Sequence, residues 1–302
     1  MQFSLLCFFI YIPFAIANDK PTVFVSIIPQ KFFVQQISKD LVNVEVMVQP
    51  GASPATYEPK PSQMAKLSSS AIYFAVGVPF EKAWLARIIA VNPDMKVVRT
   101  DRDIEKIAMV RHHHEAMKGE GHREAEHHED GHHEPESSGH VILDPHIWLS
   151  PGLVKKQALA ILEGLKVIAP RHAVEFLTNY TVFLEKIDAL DVQLQALLQD
   201  RKGMRFMVFH PTWGYFAKDY GLEQVPIEIE GKAPKPAQLL ELIRQAREND
   251  IHIIFVQPQF SQKSAEVVAR EIKGKAIFVD PLAEDWFANM RDVAEKFKLA
   301  VK

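Results

Sequence analysis

Short apolar runs separated by helical patterns occur in two sets along the chain. The first set covers 23–28, 44–48, 71–76 and 96–99. The second set covers 205–209, 224–229, 252–256 and 276–279. Helical patterns alternate with the second set near 213–220, 236–249, 262–273 and 285–300. This alternation is typical of parallel sheets, so the sequence predicts an α/β fold in which one parallel-sheet architecture occurs twice.

A single long helix is predicted between the two sets. No Pro or Gly interrupts the chain from 171 to 202, Pro170 can begin the helix, and Gly203 can end it. About thirty residues at 1.5 Å each give a rod of roughly 45 Å, long enough to run along two lobes as a rigid connection. One long core helix in a single domain is the alternative. Apolar residues at helical spacing support both interpretations: Phe176, Leu177, Tyr180, Phe183, Leu184, Ile187, Leu190, Leu194, Leu197 and Leu198.

The amino terminus has the pattern of a secretory signal peptide. An apolar run is followed by Ala15, Ile16 and Ala17, the small-residue pattern that precedes signal-peptidase cleavage. A membrane anchor needs about 20 apolar residues, and polar Asn18 comes too early for one. Cleavage after residue 17 removes Cys7, which is the single cysteine. We therefore expect an exported, periplasmic protein whose metal ligands are N and O donors.

These boundaries give a predicted domain organisation. Residues 1–17 form the signal peptide, 18–168 a first α/β lobe, 169–202 the linking helix and 203–302 a second α/β lobe. Hydrophobic residues make up 47% of the chain and the formal net charge is −3. Since no basic patch stands out, we expect no nucleic-acid partner.

Histidine is concentrated in one segment. Nine of the 13 histidines lie within 112–140, among Glu, Asp and Gly. So polar a stretch buries too little apolar surface to offset its ordering entropy, which predicts a mobile loop. Because neutral imidazole is a common zinc ligand, the loop is predicted to collect metal. A solvated insert with incidental metal affinity is the alternative.

Three residues outside that segment form a candidate primary metal site. His146 follows the apolar residues 141–143, His210 follows the run at 205–209, and Asp280 follows the run at 276–279. His210 and Asp280 come just after the carboxyl ends of predicted strands, where open α/β sheets place their ligands. Two imidazoles and one carboxylate suit zinc, whereas manganese favours more oxygen ligands and copper(I) favours sulfur.

These residues stand within motifs that resemble a known family. The motifs are Pro50–Pro54 with Tyr57–Pro59, Gly77–Glu81, Asp144–Trp148, Phe209–Pro211 and Asp280–Leu282. In this order they are similar to those of the zinc-binding, ZnuA-type solute-binding proteins of bacterial ABC importers. The resemblance implies two (β/α) lobes joined by one long helix, zinc as the bound ion, an ABC permease as partner, and His146, His210 and Asp280 as ligands.

One position departs from the family pattern. The family places its first metal histidine where this chain has Ala55, which has no donor atom. Water, Glu58, or a histidine from 112–140 are the three candidates for a fourth ligand. Since changes outside the first shell already cost about 10–100-fold in metal affinity, an unreplaced imidazole should cost at least as much.

Other functions stay open beside zinc capture and delivery by a monomeric transport protein. The Ala55 departure is compatible with a solute-binding protein for manganese, iron or a metal chelate. Extracellular sequestration or adhesion, without transport, is a separate alternative. A zinc-dependent hydrolase would also use three ligands and an open position. The sequence has no H-E-x-x-H motif, and Glu58, Glu228 and Glu230 show no spacing typical of a general base. We therefore expect no enzyme.

Overall fold

The computed structural model describes residues 20–109, 142–228, 235–249, 251–259 and 262–299. The predicted signal peptide, the histidine-rich segment 112–140 and Glu230 lie outside the described residues. None of the helices within these ranges is both long and apolar enough to cross a membrane.

The first half of the chain folds into a four-stranded parallel sheet. Its strands stand in the order β2-β1-β3-β4, and Val23 lies between Val44 and Ile72. Apolar residues on the central strands β1 and β3 are buried on both faces, as is usual for parallel sheets covered by helices, while those on the edge strands β2 and β4 are partly buried. The elements are β1 (Thr22–Val25), α1 (Ile28–Ser38), β2 (Asn43–Val46), α2 (Pro61–Leu67), β3 (Ile72–Ala75), α3 (Pro79–Val91) and β4 (Lys96–Arg99).

The second half repeats this arrangement. Its sheet is again parallel, has the order β6-β5-β7-β8, and places Val208 between Pro226 and Phe255. The predicted α/β fold with one architecture used twice is therefore confirmed. The elements are β5 (Arg205–Val208), α6 (Gly214–Tyr220), β6 (Glu223–Pro226), α7 (Pro236–Glu248), β7 (Ile253–Val256), α8 (Gln262–Glu271), β8 (Lys275–Phe278) and α9 (Trp286–Leu299).

Two long helices connect the first sheet to the second along the chain. Helix α4 (Pro151–Ile168) begins at Ser150, whose hydroxyl accepts the Leu153 N–H. Helix α5 (Ala173–Leu198) has 26 residues, which at 1.5 Å each give about 39 Å, and short 3₁₀ turns flank it on both sides. It packs against α1 and α4 on one side of the molecule and against α9 on the other. The predicted linking helix is thus confirmed, while the domain boundaries at 168 and 202 stay predictions.

The apolar stripe of α5 explains this packing. Six of its residues are buried at spacings of three, four or seven: Phe176, Phe183, Ile187, Leu190, Leu194 and Leu198. Leu177 belongs to the predicted set but points to solvent, because it lies beside the stripe. Aromatic packing continues from α1 to α9, with the rings of Phe33 and Trp286 5.5 Å apart. One continuous core therefore joins the two lobes.

Candidate metal centre

The carboxyl edge of the second sheet carries a row of polar residues. His210 follows β5, Glu228 follows β6, Gln257 follows β7 and Asp280 follows β8. Carboxyl ends of parallel strands share one edge, so these four side chains belong to one side of the lobe.

His146 reaches the same region from a segment outside both sheets. Residues 107–109 and 142–144 lie antiparallel: Ala108 forms a bridge with Leu143, Met109 N–H donates to Ile142 O, and Asp144 N–H donates to Ile107 O. This short ladder ends immediately before His146. A 3₁₀ turn and then α4 follow, so backbone hydrogen bonds fix the histidine from both sides.

The two predicted histidines meet across a small cavity. Their ring centroids are 5.3 Å apart and the ring planes are inclined at 77°. The cavity has a volume of about 60 Å³, and its other walls are mostly apolar. Those walls are formed by Ser53, Pro54, Ala55, Val78, Pro79, Met109, Pro145, Trp148, Thr212, Gln259, Pro281 and Leu282.

A buried carboxylate orients His146. Asp144 Oδ1 lies 2.7 Å from His146 Nδ1 and also accepts the His146 backbone N–H at 2.8 Å. Burial lowers the pKa of His146, and the nearby His210 lowers it further, while Asp144 opposes both effects. The direction of the shift keeps the imidazole neutral, which is the form that binds metal ions.

A second carboxylate orients His210. Glu228 Oε1 lies 2.5 Å from His210 Nδ1, and Glu228 is only 6% exposed. Gln257 clamps the His210 backbone, since its amide accepts the His210 N–H and donates to the His210 carbonyl. The other carboxylate oxygen, Glu228 Oε2, has no hydrogen-bond partner in the described part of the chain.

Both imidazoles therefore bind a carboxylate through Nδ1, which directs coordination to Nε2. This carboxylate–histidine arrangement is the usual second layer of a metal site, where it fixes the tautomer and raises the ligand's basicity. These two roles were not predicted from the sequence. Asp144 could have been found, because it stands two residues before His146. Glu228 falls within the predicted run 224–229, so its position gave no sign of a role in the site.

Asp280 is close to the cavity but does not line it. Its Oδ1 accepts hydrogen bonds from Gln259 Nε2 at 3.0 Å and from Leu282 N at 2.9 Å. Asp280 lines a neighbouring cleft of about 450 Å³, and Gln259 and Leu282 border both spaces. Among the described residues, no three His, Cys, Asp or Glu side chains are grouped closely enough to hold a metal ion.

The remaining two predicted positions, 55 and 58, differ in whether they line the cavity. Ala55 lines the same cavity as the two histidines. Glu58 is exposed and lies outside the cavity wall. The structure thus brings His146, His210 and Ala55 together, and it places Asp280 and Glu58 beyond that group.

Hydrogen bonds between the lobes hold the cavity walls in place. Trp148 Nε1–H donates to Pro281 O, and Trp286 Nε1–H donates to Trp148 O, both at 2.7 Å. Tyr215 on α6 donates to the Asp144 carbonyl at 2.9 Å. The loop that carries His146 is therefore attached to the second lobe at three points.

Comparison with known protein families shows which family the chain belongs to. The family model described as ZnuA, zinc-uptake complex component A, periplasmic, matches residues 23–300. The chain belongs to the ZnuA family. Members are named as components of a zinc-uptake complex, which is the description of a solute-binding protein and not of an enzyme.

Individual members of the ZnuA family resemble the chain over most of its length. The high-affinity zinc uptake system protein ZnuA of Yersinia pestis is 28% identical, over 89% of this chain and 85% of that protein. A ZnuA crystal structure is 38% identical with a TM-score of 0.80, over 93% of this chain and 99% of the other. A zinc-bound ZnuA mutant lacking its residues 138–173 shows the same identity and TM-score.

Proposed function

We propose that this protein captures zinc outside the cytoplasm and delivers it to the permease of an ABC importer. The observation that carries the proposal is the pair of histidines across one cavity, each held through Nδ1 by a buried carboxylate. Membership of the ZnuA family supports zinc as the transported ion and the periplasm as the compartment.

The proposed ligands are His146 and His210, each through Nε2, and Asp280. Zinc prefers four ligands in tetrahedral geometry, so two imidazoles alone leave the ion undercoordinated. Asp280 becomes the third protein ligand when its carboxylate leaves the Gln259 amide and binds the ion instead. Glu58 is not part of this set, because it is exposed and outside the cavity wall, and a water molecule takes the fourth position beside Ala55.

The donor chemistry favours zinc over the alternatives. Manganese favours more oxygen ligands, whereas the proposed set has two imidazoles from the cavity wall and a single carboxylate. A hydrolase would need a general base near the metal. Glu58 is exposed, and Glu228 is hydrogen-bonded to His210, so neither is placed for that role.

Delivery follows from the same features. Histidines of 112–140 collect zinc and pass it to the cavity, and the protein works as a monomer with the permease as its partner. Helix α5 and the inter-lobe hydrogen bonds oppose wide opening of the lobes. Release therefore depends on small movements of the loops that carry the ligands.

Zinc calorimetry at neutral pH tests the proposal on a chain that starts at residue 18 and lacks 112–140. We expect one tight site that His210→Ala abolishes or weakens by at least about 100-fold, because the substitution removes a side chain that binds the ion directly. His172→Ala is the matched control, since His172 lies at the start of α5, away from the cavity. A tight site that is indifferent to His210, or no site at all, contradicts the proposal.

A further inference from the structure

The wall of the histidine cavity contains one methionine, a sulfur donor that the proposed zinc site does not use. Met109 lines the same cavity as His146 and His210. Copper(I) favours sulfur ligands, and without Cys7 the chain can supply sulfur only as the thioether of methionine. A thioether in the wall changes the set of metal ions that the cavity can accept.

Backbone hydrogen bonds fix the position of Met109 beside the cavity. Its backbone N–H donates to Ile142 O at 2.8 Å, one residue after the Ala108–Leu143 bridge. The opposite side of this ladder leads directly to Asp144, which orients His146. The ladder therefore connects the methionine to the segment that carries a histidine ligand.

The donor atoms in the wall suit a soft metal ion. No Asp or Glu lines the cavity, and Asp280 is bonded to Gln259 and Leu282 beside the neighbouring cleft. Imidazole suits copper, and thioether is among the ligands that select copper(I).

We propose that the cavity is also a copper(I) site, in which His146, His210 and Met109 Sδ coordinate the ion. This inference rests on the proposed function for its two histidines and adds a third ligand that depends on the metal. Zinc requires the Asp280 carboxylate to leave Gln259, whereas copper(I) uses the methionine already in the wall. Asp280 and Met109 are thus alternative third ligands for two different ions.

The test is a reciprocal comparison on the chain from residue 18, with 112–140 retained. Copper(I) is supplied anaerobically in competition with a chromophoric copper(I) chelator, and zinc binding is measured separately. Met109→Leu should weaken copper(I) binding by at least about tenfold and change zinc binding less than about twofold. Asp280→Asn should do the reverse. Met64→Leu, on α2, is the matched control for loss of a thioether outside the cavity wall.

X-ray absorption gives a second readout that does not depend on affinity. At one equivalent of copper(I), a sulfur ligand should appear in the spectrum and disappear in Met109→Leu. Because no cysteine remains, that sulfur must come from methionine. Equal copper(I) affinity in Met109→Leu and the unsubstituted chain, or a spectrum without sulfur, overturns the inference. The zinc proposal would then stand or fall separately, by the response to His210→Ala.

Discussion

The two lobes share a strand order but differ in the buried glutamate near the carboxyl edge of each sheet. In the first lobe, Glu81 begins α3 after β3, and both of its carboxylate oxygens have partners. One oxygen accepts from Ser26 Oγ and Val76 N, and the other accepts from Gly77 N. In the second lobe, Glu228 contacts His210 through one oxygen, and the other has no partner among the described residues.

Under the proposed function, this difference separates a structural carboxylate from one that orients a ligand. Burial raises the pKa of Glu81, while the three donors oppose the shift, so its interactions serve the turn that leads into α3. Glu228 instead directs its bonded oxygen to the His210 imidazole. The repeated scaffold supplies the positions, and the residues at the strand ends decide which lobe carries chemistry. The first lobe contributes an apolar wall that includes Ala55 and Val78.

The substitution Ala55→His should have the largest effect on zinc affinity, because it removes the difference between the two lobes. Because Ala55 lines the cavity, an imidazole at this position gives the first lobe a ligand of its own. We expect zinc affinity to rise by about 10–100-fold in calorimetry. Thr56→His is the matched control, since Thr56 is exposed and outside the cavity wall. Equal affinities in the two variants would show that the side chain at 55 does not reach the metal.

A matched pair of glutamine substitutions should sharpen the comparison with a smaller effect. Glu228→Gln removes the negative charge beside His210 and should weaken zinc binding by about tenfold. Glu81→Gln should leave zinc affinity within about twofold and lower the free energy of unfolding by about 1–3 kcal/mol, because a buried donor loses its acceptor.

Calorimetry and urea unfolding separate these two outcomes. The distinction between the glutamates fails if both variants lose zinc affinity equally, or if Glu228→Gln changes only the free energy of unfolding.

The smallest expected effect concerns pH. Burial lowers the pKa of His146, so it stays neutral at pH values where an ordinary histidine, with a pKa near 6.5, is protonated. Between these two pKa values the unfolded chain binds the extra proton, so the contribution of His146 to stability is lost as pH falls. An NMR titration of the metal-free chain, assigned with His146→Gln, should give a midpoint below 6.5. A midpoint at or above 6.5 contradicts the prediction.

Sequence patterns predicted the scaffold because they depend on local periodicity. The apolar runs became the eight strands, and the stretch without Pro or Gly became α5 with its flanking turns. Leu177 differs because a periodic pattern identifies a face only to within one residue. Residues after strand ends were also recognisable as candidates, which identified His210 and Asp280, while His146 was a candidate because it follows the apolar residues 141–143.

Contacts that depend on tertiary packing could not be predicted from the sequence. The roles of Asp144 and Glu228 depend on which way two imidazole rings turn. The place of Asp280 depends on its hydrogen bonds to Gln259 and Leu282. Met109 lies at the site because residues 107–109 pair with 142–144 beside the histidine-rich segment. The sequence pattern did not predict this pairing.

If the protein delivers zinc to a permease as proposed, the hydrogen bonds from Trp148 to Pro281 and from Trp286 to Trp148 affect how the permease is occupied. If the lobes keep one relative angle, the empty and zinc-loaded forms present almost the same outline to a docking partner. Empty molecules then occupy the permease as readily as loaded ones and act as competitive inhibitors of uptake. An excess of this protein over zinc would slow import, so the cell benefits from matching its expression to the metal available.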